Sequence, residues 1–207
     1  MKPFVRVFLI VWLLVWGLSA RAEGYIELNP PRPTEDPGRV EVIEFFWYGC
    51  PHCYRFDPYL EEWRKRQPPT VSFKRQPVIF GPHWAPQARA YFTAEVLGVV
   101  DKIHRDFFDA MHRQKKRMAD EAELARFFAE HGVDEQAFKN AFHSFAVDVK
   151  MRQAEAIAPE YGITGVPAVV VNGKYLITAR SAGGFEGMIR TLDELVARER
   201  AGLAKAE

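Results

Sequence analysis

The chain has 207 residues, 48% of them hydrophobic and 27% charged, with 28 basic and 27 acidic side chains and two cysteines. That composition suits a folded globular chain and excludes a disordered polymer or a multi-span membrane protein. The near-neutral balance offers no electrostatic footprint for nucleic acid.

Residues 1–22 read as a secretory signal peptide. Lys2 and Arg6 give a positive start, Val7 to Leu18 are apolar, and Ala20 and Ala22 are small residues two apart at a cleavage site. The apolar run holds 12 residues, short of the about 20 needed to cross a bilayer. Cleavage is expected after Ala22. The segment removed holds three basic and no acidic residues, so 25 basic and 27 acidic remain, a net charge of −2. Export to the periplasm would place the chain where disulfides persist. No cysteine follows the cleavage site, which argues against a lipid anchor there.

Residues 23–39 carry Pro30, Pro31, Pro33 and Pro37 and read as an extended arm. Val40 to Trp47 is a β-branched and aromatic run, apolar on both faces except at Glu41 and Glu44, as in a strand inside a sheet. Gly49 breaks it. Pro51 suits the first turn of a helix, where its missing N–H costs nothing. Phe56, Leu60 and Trp63 keep helical spacing to about Arg66, and Pro68-Pro69 end the helix. Val71 to Val78 predicts a second strand, which Pro77 shortens or places near an edge.

From Trp84 to Met151 the apolar spacing is helical: Ala90, Ala94 and Leu97; Ile103, Phe107 and Met111; Leu124, Phe127 and Phe128; Phe138, Phe142 and Phe145. Strand character returns at Ala168 to Val171. Asn172-Gly173 then signals a hairpin with Lys174 to Thr178. After Gly183-Gly184, a final amphipathic helix is predicted from Phe185 to about Arg200, with Met188, Ile189, Leu192 and Leu195 inward. This order predicts an α/β thioredoxin-like fold with an inserted all-helical subdomain. Residues 23–80 and 155–207 would form the discontinuous thioredoxin-like domain and 81–154 the insertion.

The two cysteines lie three apart in Cys50-Pro51-His52-Cys53, where a strand hands over to a helix. A bridge closing so small a loop stabilises little, so the spacing points to chemistry. The positive helix end favours a thiolate at Cys50. Cys53, further into the helix, is expected to be less exposed and to act as the resolving sulfur. His52 could hydrogen-bond the Cys50 sulfur or, protonated, place a charge beside it; either stabilises the reduced form and makes the disulfide more oxidising. A structural zinc site would need four ligands, and no second CxxC or paired histidine motif exists. Haem attachment would need His after Cys53, where Tyr54 stands.

The run Glu44-Phe45-Phe46-Trp47-Tyr48-Gly49-Cys50-Pro51-His52-Cys53-Tyr54 resembles the DsbA family of periplasmic thiol:disulfide oxidoreductases. Gly165-Val166-Pro167-Ala168, followed by Val171-Asn172-Gly173-Lys174-Tyr175, is the second match. The resemblance implies a cis Pro167 facing the disulfide and a Val166 whose backbone pairs with a substrate strand. It also implies that Glu44 is a buried acid that relays a proton to or from Cys53. Lys74 or Arg75 is available to pair with Glu44; the family more often has lysine at the matching place, while Arg75 is the better-aligned residue here. No bound cofactor is implied. The partners would be reduced, newly exported proteins and a quinone-linked membrane reoxidase of the DsbB type.

Trp47, Tyr48, His83 and Trp84 are candidates for a shallow substrate groove. Arg113 to Arg117 reads as a solvated basic face. Two other readings use the same residues. An isomerase or reductase could share the fold, although dedicated isomerases usually dimerise through a separate N-terminal domain and only residues 23–39 precede the first strand. A metal chaperone could use Cys50, Cys53 and His52, although no Met or His cluster lies near them.

Overall fold

The computed structural model describes residues 24–205; the expected signal peptide, residues 1–22, lies outside them. Five strands form one mixed sheet: β1 (Ile26–Glu27), β2 (Val40–Phe46), β3 (Val71–Pro77), β4 (Ala168–Val171) and β5 (Tyr175–Thr178). Their spatial order is β1-β5-β4-β2-β3. β2 and β3 run parallel and the remaining neighbours antiparallel. A parallel pair needs a crossover, and helix α1 (Pro51–Lys65) supplies it. Pro77 closes a strand at the sheet edge, where a missing N–H is tolerated.

Between β3 and β4 the chain forms a 3-10 turn (Pro82–Trp84) and five helices: α2 (Ala85–Val96), α3 (Val100–His112), α4 (Glu121–Glu130), α5 (Glu135–Phe142) and α6 (Phe145–Glu160). A short α7 (Ala179–Ala182) and the long α8 (Phe185–Leu203) follow the hairpin. This is the expected α/β architecture with helices inserted between the parallel and antiparallel halves of the sheet. Helix α6 runs through the 154/155 position read as a domain edge.

Strand alternation sorts the core into layers. Val40, Val42, Val169 and Val171 face α1 and α8, where they meet Phe56, Leu60, Trp63, Leu192 and Leu195. Ile43, Phe45, Ala168 and Val170 face the opposite side with Ala158 and Tyr161. Each large side chain so buried contributes about 2 kcal/mol. The same period puts Glu44 on the α1 face and Glu41 on the other. A third cluster gathers the helical block around Phe107, Phe108, Phe128 and Phe138, and reaches Cys50 and Cys53.

Two features of α1 tie it to its neighbours. Pro58 sits inside the helix and has no N–H for the Tyr54 carbonyl. Arg105 of α3 fills that gap, donating from Nη1 to the Tyr54 oxygen at 3.3 Å. On the far side, Trp63 Nε1 donates to Asp193 of α8 at 2.7 Å.

The structure departs from the sequence reading in three places. The extended arm carries a strand that was not anticipated: β1 pairs with β5, and Arg32 N–H donates to the Gly173 carbonyl at 2.8 Å. Phe145 does not continue the Phe138–Phe142 stripe. Ser144 caps a new helix through the Val147 N–H, and Phe145, its first residue, is 77% exposed. The hydroxyl cap broke the periodicity that the aromatic spacing suggested. Helix α7 was not anticipated; Thr178 and Ser181 form its capping box.

The Asn172-Gly173 turn takes positive φ at both residues, +51° and +63°, the central pair of a turn closed by the Lys174 N–H on the Val171 carbonyl at 2.9 Å. A Cβ at Gly173 would also collide with the Arg32 carbonyl. Gly173→Ala is therefore expected to lower stability by at least about 2 kcal/mol. Gly98 has a similar φ of +68° but open space around it, so Gly98→Ala should cost only about 1 kcal/mol. Equal midpoints for the two variants in chemical denaturation would refute the role given to the Arg32 contact.

Candidate redox site

Cys50 is the N-cap of α1, in extended conformation, and its sulfur accepts the Cys53 backbone N–H at 3.3 Å. The spacing of three produces this bond, because a cap side chain reaches the N–H of the third helical residue. Both cysteines are unpaired thiols, so the geometry is that of the dithiol. The Cys50 thiol donates to the Val166 carbonyl at 3.5 Å. The Val166–Pro167 peptide is cis. Four of the residues singled out from sequence, Cys50, Cys53, Val166 and Pro167, therefore meet at one end of the sheet although 116 positions separate Cys50 from Val166.

The two sulfurs differ sharply. The hydrogen bond from the Cys53 thiol, the backbone N–H groups of Cys53 and His52 and the charge of Arg55 outweigh partial burial, and lower the Cys50 thiol from 9.0 to about 7. Cys53 is 0% exposed. Burial first, then its bond to Cys50 and the charges of Cys50 and Glu44, push its thiol well above 9.

Glu44 lies fully buried on β2. Burial raises its carboxyl from 4.5 to about 7, although Arg75 pulls it down. The parallel register sets Glu44 beside Arg75 and Ile43 beside Lys74. Arg75 Nε accordingly donates to Glu44 Oε2 at 3.2 Å, and Arg75 also pairs with Glu61. Lys74 points to the other face and bridges Glu35 and Glu41 at 2.5 and 2.8 Å. Of the two available partners, Arg75 is the one that pairs with Glu44. The second Glu44 oxygen, Oε1, is buried without a hydrogen bond.

Trp47 and Trp84 stack with centroids 4.0 Å apart, and His83 meets Trp47 edge-on at 5.5 Å. Trp47 Nε1 donates to the buried Gln87 at 3.1 Å, which fixes the platform on α2. Tyr48 does not join it. It turns inward, 1% exposed, and its hydroxyl meets His104 Nδ1 at 2.8 Å. His52 is exposed, and its ring is held by Arg55 at 3.0 Å.

Sequence reading missed the buried charges beneath the pair. Asp57 is 1% exposed and meets Arg105 at 3.1 Å and His104 at 3.2 Å. Burial would raise it, but the bonds and charges of His104, Arg105 and Arg75 win and lower it. His104 is driven from 6.5 to about 4, chiefly by burial and then by Arg75, against the pull of Asp57. A signal for part of this existed: Cys53, Asp57 and Glu61 recur every four residues and so share one stripe of α1. Among the described residues, no group of three or more His, Cys, Asp or Glu is placed to hold a metal.

An activated thiol at the helix start, 8% exposed, backed by a second thiol with no exposed surface, can accept and release disulfides without a cofactor. That capacity, on a sheet of this topology, defines a thiol:disulfide oxidoreductase of thioredoxin-like fold. Known proteins point the same way. The family model described as a DSBA-like thioredoxin domain matches residues 41–190. The thiol:disulfide interchange protein DsbA of Pseudomonas aeruginosa is 38% identical, over 99% of this chain and 100% of that protein. That of Azotobacter vinelandii is 44% identical, over 85% of this chain and 82% of the relative. The crystal structure of Pseudomonas aeruginosa DsbA superposes with a TM-score of 0.82 at 42% identity, covering 86% of this chain and 93% of that one. The oxidoreductase DsbA of Xylella fastidiosa gives 0.79 at 39% identity, covering 86% and 95%. The chain belongs to the DsbA family.

Proposed function

We propose that this protein is a periplasmic dithiol oxidase that donates a Cys50–Cys53 disulfide to newly exported proteins. A substrate thiolate attacks the Cys50 sulfur and forms a mixed disulfide, while Cys53 leaves with the electron pair and takes up a proton. A second substrate thiolate then attacks the substrate sulfur of that bond. Cys50 leaves as a thiolate, the substrate gains a disulfide, and two electrons remain on the enzyme as a dithiol. Glu44, buried under the pair, is the group that exchanges the Cys53 proton. Val166 offers its backbone to the substrate strand beside Pro167. A quinone-linked membrane protein of the DsbB type restores the disulfide. Residues 1–22 direct export and are removed after Ala22. Residues 23–80 and 155–207 act as the thioredoxin-like domain and 81–154 as its helical insertion.

The observation that carries thiol–disulfide exchange is the asymmetry of the thiols, Cys50 lowered and Cys53 buried and raised; the DsbA relatives support the oxidising direction. A stabilised Cys50 thiolate is a good leaving group and favours the reduced enzyme, so the disulfide is oxidising. Equilibration with glutathione is the test. The expected potential lies above about −180 mV, the value for protein disulfide isomerase. A potential near the about −270 mV of thioredoxin would replace the oxidase by a reductase.

A further inference from the structure

We propose that Arg55 is a positioning residue of the redox site, acting on Cys50 through His52. The proposal rests on the redox reading above. Its geometry is simple. His52 and Arg55 are three apart on the exposed side of α1, where side chains at that spacing meet. Arg55 Nη2 lies 3.0 Å from His52 Nδ1. A guanidinium has donors only and keeps its proton. His52 Nδ1 is therefore the acceptor, and the ring carries its proton on Nε2. Phe185, at the start of α8, meets the same ring edge-on at 6.5 Å, so the imidazole is bounded on a second side.

The consequence for Cys50 is electrostatic: the guanidinium of Arg55, anchored on the His52 ring, is a positive charge that acts on the sulfur. That charge favours the Cys50 thiolate, in the same direction as the helix N-terminus. The His52 backbone N–H, fixed by the helix, serves the same sulfur. His52 is thus the mount and Arg55 the charge. The sequence reading gave His52 itself a hydrogen bond to the sulfur or the charge beside it.

The test compares Arg55→Gln, Arg55→Lys, His52→Ala and the double variant Arg55→Gln/His52→Ala with the wild type. Cys50 ionisation is followed by thiolate absorbance, and the equilibrium with glutathione is measured at low and high salt. At low salt, Arg55→Gln should lower the equilibrium constant for glutathione oxidation roughly threefold, and high salt should shrink that difference. Arg55→Lys, which keeps a charge and a donor, should restore most of it. In the His52→Ala background the Arg55→Gln change should largely vanish, because the mount is gone. Nitrogen NMR of the wild type should find the His52 proton on Nε2. An unchanged equilibrium constant in Arg55→Gln at low salt overturns the proposal. So does an equal effect in the His52→Ala background, or a ring proton on Nδ1. These are differences between variants, so a wild-type potential that defeats the oxidase reading leaves this test intact.

Discussion

Cys53→Ser is expected to accumulate stable mixed disulfides, and Cys50→Ser to form essentially none. In Cys53→Ser the remaining Cys50 thiolate attacks a peptide disulfide and releases one peptide thiolate. The adduct persists because no resolving sulfur is left. In Cys50→Ser the only nucleophile is Cys53. At pH 7 a thiol at about 7 is half ionised, whereas one at 9 or above is ionised to about 1% or less, a gap of about 50-fold in thiolate. The greater intrinsic nucleophilicity of the more basic sulfur returns up to about tenfold of that. Burial then dominates, because Cys53 is 0% exposed and offers no line of approach. Adduct formation should therefore be at least about 100-fold slower in Cys50→Ser. Mass spectrometry of each variant incubated with a disulfide-bonded peptide measures both rates. Comparable rates would reverse the order of the two sulfurs.

Glu44→Gln should stabilise the protein at alkaline pH relative to its effect at acid pH. The folded-state carboxyl is raised, from 4.5 to about 7, chiefly by burial. Below about 4.5 the group is protonated in both folded and unfolded chains and contributes nothing to the pH dependence. Between those values the folded state binds the extra proton, so wild-type stability falls as pH rises. Above about 7 the full penalty is present, about 3 kcal/mol for that shift. Glutamine keeps the shape and does not titrate. Arg75 retains Glu61 as a partner in the variant. The stability difference, variant minus wild type, should thus grow by about 3 kcal/mol between pH 4 and pH 8. Urea denaturation at the two pH values reads it. A difference that stays flat, or shrinks, would show that Glu44 is not the buried acid described here. The Cys53 thiol should also become easier to ionise in Glu44→Gln, since the Glu44 charge helps to hold it up.

Legibility from sequence followed range. The α1 cap at Cys50 was readable because Gly49, Cys50 and Pro51 act within one turn. The hairpin was readable because Asn172 and Gly173 tolerate the positive φ it needs. The Glu44 partner was only partly readable: alignment favoured Arg75, but Lys74 is adjacent and a shift of one residue in register exchanges their faces. Phe145 misled because aromatic spacing carries no record of where the backbone turns. Tyr48 misled for a related reason: it lies past the end of β2, in the turn before Cys50, where strand alternation no longer sets side-chain direction.

By itself the sequence determined the α/β order, the cysteine pair and its place at a helix start, and the unequal burial of the two sulfurs. These depend on interactions within one or two helical turns or on strand period. Only the tertiary structure brought Val166 to Cys50, set Arg75 rather than Lys74 beside Glu44, and placed Asp57, Glu61 and His104 around them. It also gave the His52 ring to Arg55. The first set follows from local geometry. The second rests on sheet register, on helices packed from distant parts of the chain and on the rotamers that packing selects.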